Sequence, residues 1–358
     1  MDKFYQKLFL AILSGSLIVF TTLHVKMVHI SASQQDEEIT FPSRDIKSLI
    51  AQSVKYKYPS GVANKSSLSP SESRDLVKKS AMQFDAEHEE WKKTFSTKTM
   101  SESTNILLVS YLGSGATKMA EVLSRKSDTI YFYDPILKLG GGQELDKVQL
   151  LQSLFNCDFK NELSRKYLKS IQDVSFFEKN IHFLRICRDL NLDLDECLEE
   201  EKMSETCSGL QNRLILLQTT SLEEIKPLVL NQNIKLIFMI RSPRGLIQTR
   251  QQEPDMCKLL NLPENCNDPE IVCKQYLADI KVSQQIAASN PQVIKTVIYE
   301  HFVFKPLDVI DSIYQWLSWK PNVADIQLYI NSHTIEEKAN EGQNPKLLQK
   351  IDEKCPHF

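Results

Sequence analysis

Residues Ser110 to Thr117 read SYLGSGAT and follow directly on the apolar run Ile106-Leu107-Leu108-Val109. Met119, Val122 and Leu123 then recur at helical spacing, so the sequence predicts a strand, a loop of small residues and a helix. That succession builds an anion cradle. The N–H groups of a helix's first turn lack intrahelical partners, the helix dipole adds about half a positive charge, and glycine lets the backbone approach a phosphate or sulfate closely. Gly113, Ser114, Gly115, Ala116, Thr117 and Lys118 are the candidate anion-binding residues. Asp134, in Tyr-Phe-Tyr-Asp-Pro, is a second candidate. A carboxylate at a strand end accepts a proton from a hydroxyl within hydrogen-bond reach, although Asp before Pro is also an ordinary turn.

Such groups need a rigid frame to hold them. Further apolar runs at Thr129 to Phe132, Leu214 to Leu217, Leu236 to Ile240 and Val293 to Ile298 read as strands. Between them, Leu145 to Phe155, Leu222 to Leu230, Glu270 to Ala288 and Pro306 to Leu317 carry apolar residues three and four apart. Strands alternating with helices predict an α/β fold with a parallel sheet covered on both faces, whose ligands sit at the carboxyl ends of the strands.

The chain has 358 residues and a formal charge of −3, which gives no reason to expect a nucleic-acid partner, so any anion site is built locally. Lys3 and Lys7 precede an uncharged run from Leu8 to Leu23, which Val25 to Ile30 extend if Lys26 snorkels to the interface. The expected organisation is a cytoplasmic tail at 1–7, a transmembrane signal-anchor at 8–30, a polar stem at 31–103 and a lumenal domain at 104–358. A signal peptide cleaved near Ser31-Ala32-Ser33 is the alternative. Eight cysteines, all beyond the stem, read as disulfides of an oxidising compartment, with local pairs such as Cys187 to Cys207 or Cys257 to Cys273. No C-x-x-C pair occurs, so no metal is expected. The sequon Asn64-Lys65-Ser66 falls in the stem.

Three segments in order resemble the Golgi carbohydrate sulfotransferases, in particular those that sulfate hexoses at a primary hydroxyl. The first is NILLVSYLGSGATKMAEVL with DTIYFYDPI, similar to the family's strand and Arg-Ser-Gly-Ser-Ser/Thr loop. The second is LIFMIRSPRGLIQTR, where Arg241, Pro243, Arg244 and Thr249 fill the places of the family's Val-Arg-Asp-Pro-Arg and its later hydroxyl residue. The third is Tyr299-Glu300-His301-Phe302 with Pro306-Leu307. The resemblance covers roughly Asn105 to Thr334 and implies a P-loop-like sulfotransferase fold behind an N-terminal membrane anchor. It also implies a type II Golgi membrane protein using 3′-phosphoadenosine 5′-phosphosulfate without a metal. The implied partners are a glycan acceptor and the membrane, with a homodimer left open.

On that resemblance, residues Gly113 to Lys118 grip the phosphosulfate end of the donor, Arg241 and Thr249 bind its 3′-phosphate, and Asp134 stands in place of a glutamate base. Tyr299 and Glu300 are read as structural. The sequence also departs from the family. Gly113 occupies the loop's arginine position, Ala116 replaces a hydroxyl, and Gln218 to Ser221 read QTTS in place of Lys-Thr-x-Arg. The family's basic, tryptophan-containing stretch is not matched after Thr334. These departures make a binding protein without catalysis the alternative. An ATP or GTP phosphotransferase is disfavoured, because Gly-x-x-x-x-Gly-Lys-Ser/Thr is absent.

Overall fold

Five apolar runs pair into one fully parallel sheet: β1 (Thr104–Val109), β2 (Thr129–Tyr133), β3 (Asn212–Leu217), β4 (Ile234–Ile240) and β5 (Ile294–Ile298). The computed structural model describes residues 103–140, 145–172, 174–253, 257, 266–332, 349 and 353–355, with some positions between 75 and 89. The expected tail, anchor and sequon lie outside the described residues. The chain divides into units Met1–Lys79 and Ser80–Phe358. Of the first, only Asp75, Lys78 and Lys79 are described, all helical. Among the described residues, no helix is long and apolar enough to cross a membrane.

The strand order is β2-β3-β1-β4-β5. In the central strand, Val109 stands between Leu217 of β3 and Phe238 of β4. From β1 the chain passes outward to β2, returns to β3, and then crosses β1 to reach β4. The order therefore reverses at β1, the kind of switch point outside whose strand ends open α/β sheets bind their ligands.

Helices cover both faces. After β1 comes α1 (Ala116–Leu123), and between β2 and β3 lie α2 (Pro135–Lys138), α3 (Lys147–Phe155), α4 (Glu162–Ser170), α5 (Val174–Lys179), α6 (Ile181–Asp189), α7 (Leu194–Cys197) and α8 (Glu200–Gly209). Then follow α9 (Leu222–Asn231), α10 (Pro243–Gln252), α11 (Pro269–Ser289), α12 (Tyr299–Phe304), α13 (Pro306–Trp316) and α14 (Val323–Ser332). One face buries Ile106, Leu108, Leu214, Leu216, Ile237 and Met239 against Met119 and Val122 of α1, Ile310 and Ile313 of α13, and Ile326 of α14.

The stretch 135–209 departs most from expectation, holding seven helices where the periodicity showed one. All are short, so each carries only a few apolar positions, and side-chain caps start α2, α3, α4 and α7. Asp146 accepts from the Gln149 N–H at 2.9 Å, Asn161 from the Ser164 N–H at 3.0 Å, and Asp193 forms a capping box with Glu196. Two disulfides staple the region, Cys157–Cys207 and Cys187–Cys197. The others are Cys257–Cys266 and Cys273–Cys355. The expected pairs Cys187–Cys207 and Cys257–Cys273 are therefore corrected. Cys207 on α8 meets the turn after α3, while α7 brings Cys197 back to α6.

The expected stem also contributes to the domain. Ser80 donates to Asp325 at 3.1 Å, and Arg185 donates to Asp85 at 3.0 Å. At the outer edge of the sheet, the Asn180 amide substitutes for a neighbouring strand. It accepts from the Tyr131 N–H at 2.6 Å and donates to the Tyr131 carbonyl at 2.9 Å, closing an edge that would otherwise stay unpaired.

Candidate anion-binding site

The turn between β1 and α1 is held open by two left-handed residues, Gly113 at φ +85° and Gly115 at φ +84°. An L side chain is strained there, and at Gly115 a Cβ would also run into the ring of Tyr299. Glycine is thus required twice in three residues to turn the chain into α1, whose first N–H groups face the turn. From behind, Tyr111 braces the loop. Its hydroxyl donates to Asp279 of α11 at 2.8 Å, and its ring stacks on Tyr276 with centroids 4.1 Å apart.

The loop's hydroxyls serve the loop itself. Ser114 is fully buried, and its Oγ lies 2.6 Å from Ser110 Oγ, which donates to the Met239 carbonyl at 2.6 Å. Thr117 is hydrogen-bonded to the Tyr133 hydroxyl. Ala116 is buried against the core. The side chains of Ser114 and Ala116 are therefore removed from any ligand, and the N–H groups of Ser114, Ala116 and Lys118 bond to the Tyr111 carbonyl, Ser114 Oγ and the Gly115 carbonyl, so the turn offers the N–H groups of Gly113, Gly115 and Thr117. Lys118 lies half-buried on the first turn of α1, its N–H donating to the Gly115 carbonyl at 3.1 Å.

Arg241 reaches this loop from the neighbouring strand. Its Nη1 donates to the Gly113 carbonyl at 2.7 Å and to Thr249 Oγ1 at 3.0 Å, and its guanidinium carbon sits 4.4 Å from the Tyr299 ring centroid. Three residues picked from sequence, Gly113, Arg241 and Thr249, thus converge. Gly245 makes the placement possible, because a Cβ there would stand 2.9 Å from Arg241 Nε. Glu300 fixes the same turn by accepting from the Ser242 N–H at 2.8 Å.

Asp134 is placed differently from the expected base. It has no exposed surface, and its two carboxylate oxygens accept from the N–H groups of Leu137 at 3.1 Å and Gln218 at 2.9 Å. In this conformation no substrate hydroxyl reaches it. The short side chain turns back to tie the ends of β2 and β3 together. Burial pushes its pKa up to about 7, against the opposing pull of those two N–H donors.

Sequence reasoning missed several groups at this end of the sheet. Tyr299, read as structural, forms a wall of the turn, and Tyr133 holds Thr117. After β3, Gln218 Oε1, Thr219 Oγ1 and Thr220 Oγ1 are buried without hydrogen-bond partners. Buried polar atoms are nearly always paired, so three consecutive orphans at a strand's carboxyl end fit a position that a ligand or ordered water completes. Ser221 is spent on the start of α9, where it bonds with Glu224.

The candidate site is therefore a glycine turn at a helix start with the guanidinium of Arg241 at its side and that of Arg250 donating to the Leu112 carbonyl at 2.8 Å, and an uncharged polar segment follows β3. Residues 103–356 match the family model described as "Sulfotransferase domain". Among solved structures, the chain is similar to sulfotransferase STF9 from Mycobacterium avium at 12% identity, covering 89% of this chain and 97% of that one, with a TM-score of 0.39. It is likewise similar to mouse sulfotransferase SULT7A1 complexed with PAP at 13% identity, covering 74% and 87%, with a TM-score of 0.38. A third is the sulfotransferase domain from the Synechococcus PCC 7002 olefin synthase, at 16% identity, covering 73% and 90%, with a TM-score of 0.34. No curated protein matches the chain.

Proposed function

This chain belongs to the sulfotransferase-domain family, and from that premise we propose that it moves the sulfuryl group of 3′-phosphoadenosine 5′-phosphosulfate to a sugar hydroxyl, the primary 6-hydroxyl of a hexose. The alcohol oxygen bonds to sulfur as the bond between sulfur and the 5′-phosphate oxygen breaks. The hydroxyl proton passes to a base, and adenosine 3′,5′-bisphosphate leaves. The turn at Gly113 to Lys118 neutralises the phosphate end with oriented N–H dipoles, which cost no reorganisation during transfer. Arg241 and Thr249 take the 3′-phosphate through charge-assisted hydrogen bonds.

The observation that carries this reading is the 2.7 Å contact between Arg241 and the Gly113 carbonyl, which brings the loop after β1 and the end of β4 together. The motif resemblance supports a carbohydrate acceptor, and the cysteines support the compartment. All eight are joined in four disulfides, as in proteins that mature in the secretory pathway. We therefore place the domain in the Golgi lumen behind an N-terminal anchor. Asp134 serves as base only if the turn between β2 and α2 opens to uncover it, which also removes the burial that holds its pKa up.

A second reading is favoured by the uncharged Gly113, Gln218 and Ser221: a protein that keeps the nucleotide crevice and binds glycans without transfer. Incubation with sulfur-labelled donor and a panel of chondroitin, keratan and N-acetylglucosamine acceptors separates the two. Label on any hexose supports transfer, while nucleotide binding with no label on any acceptor favours the second reading.

A further inference from the structure

Two guanidiniums hold consecutive carbonyls of the turn after β1. Arg241 takes that of Gly113, and Arg250 of α10 takes that of Leu112 through Nε at 2.8 Å. The Arg250 Nη1 also donates to the carbonyl of Cys266, which its disulfide joins to Cys257 just beyond α10. Arg250 is 5% exposed, and its stem packs where a side chain of Gly113 would lie, its Cγ 3.6 Å from the place of that Cβ.

Packing alone does not account for an arginine at this position. Burial works against its charge, and both acceptors are neutral carbonyls, so an aliphatic side chain would fill the same space more favourably. What the bond to Leu112 controls is one peptide plane. A trans peptide directs its C=O and N–H in opposite senses, so a Leu112 carbonyl held on Arg250 turns the Gly113 N–H the other way. Gly113 lies at φ +85°, and a glycine there would let the plane flip and present a carbonyl oxygen, which repels an anion.

We propose that Arg250 is a positioning residue for the donor: it locks the Leu112–Gly113 peptide with its N–H towards the 5′-phosphate, and the Cys257–Cys266 bridge holds the second anchor of Arg250 in place. The assignment rests on the sulfotransferase reading and names what sets its donor turn. The 3′-phosphate, assigned to Arg241 and Thr249, lies outside that lock.

Calorimetric titration of the purified full chain with adenosine 5′-phosphate and adenosine 3′-phosphate tests it, because the two share a nucleoside and differ in the phosphate they bring. Arg250→Lys keeps the charge but loses the fork that spans both carbonyls. It weakens adenosine 5′-phosphate severalfold and leaves adenosine 3′-phosphate within twofold. Replacing Cys257 and Cys266 together by serine gives the same selective loss. Combined with Arg250→Lys, the serine pair costs less than the product of the two separate losses, as changes on one path do. Equal weakening of both nucleotides marks a packing role and overturns the proposal. Affinity for both that stays within twofold in Arg250→Lys overturns it as well, as do lysine and serine losses that multiply in full. A parent chain that binds neither nucleotide overturns the sulfotransferase reading itself, and the lock with it.

Discussion

The Nη1 of Arg241 donates to the carbonyl of Gly113 at 2.7 Å, joining the end of β4 to the turn after β1 across 128 residues of sequence. A guanidinium carries five N–H donors in a fixed fork. Bonds to Gly113 and Thr249 from one nitrogen set its orientation and leave donors for a phosphate. The same bond positions the turn.

Gly245 tests the placement without touching the charge. Alanine there puts a methyl 2.9 Å from Arg241 Nε, inside contact distance, and forces the guanidinium off the turn. Alanine in a helix is better than glycine by about 0.5–1 kcal/mol. Gly245→Ala is therefore expected to hold or raise the melting temperature while weakening adenosine 3′,5′-bisphosphate severalfold, read by calorimetry on the same preparation.

Gly115 combines backbone and steric demands. Gly115→Ala meets a left-handed φ, costing about 1–2 kcal/mol, and also the Tyr299 ring. Chemical denaturation is expected to show a loss above that backbone cost. Adding Tyr299→Ala recovers the steric part only, so the double variant is less damaged than the sum of the two single changes.

Asp134 predicts a pH dependence of stability. Its folded pKa is raised to about 7, whereas an unfolded aspartate titrates near 3.9. The native state holds this proton in the window between those values, so the contribution is complete below about pH 4 and is lost as pH rises towards 7. At about 1.4 kcal/mol per pKa unit the effect is roughly 3–5 kcal/mol. Denaturant midpoints measured from pH 4 to pH 8 should show this slope. Asp134→Asn flattens it and costs about 1–3 kcal/mol at the acid end, because one amide oxygen cannot satisfy the N–H groups of both Leu137 and Gln218.

The Cys157–Cys207 bridge spans 50 residues. Loop-closure entropy for that length is about 4 kcal/mol. Replacing both cysteines by serine is expected to lower unfolding free energy by about 2–4 kcal/mol, and non-reducing peptide mapping should recover Cys157 with Cys207 rather than Cys187 with Cys207.

The inner strands β3, β1 and β4 were legible because they are apolar runs buried on both faces, and Leu107, Ile215 and Ile237 each fall inside a predicted run. The turn was legible because Gly113 and Gly115 answer a backbone need that no other residue meets without strain. Arg241 and Thr249 were found through resemblance, and the geometry brings them to Gly113. What escaped depends on the third dimension. Short capped helices such as α4 and α7 carry too few apolar residues for a period, and disulfide partners are chosen by folding rather than spacing. Whether Asp134 faces substrate or backbone depends on where the Leu137 and Gln218 N–H groups fall in the fold. Tyr299 and Tyr133 stand at strand ends in the same layer as the turn, a place that sheet topology could have flagged.

Titration of the full chain with adenosine 3′,5′-bisphosphate, beside Arg241→Ala, tests the central claim most directly. Saturable one-to-one binding is expected for the parent chain, weakened about tenfold to a hundredfold in the variant, since hydrogen bonds to charged groups contribute about 1.5–3 kcal/mol. No binding by the parent chain, or equal binding by both, would contradict the account.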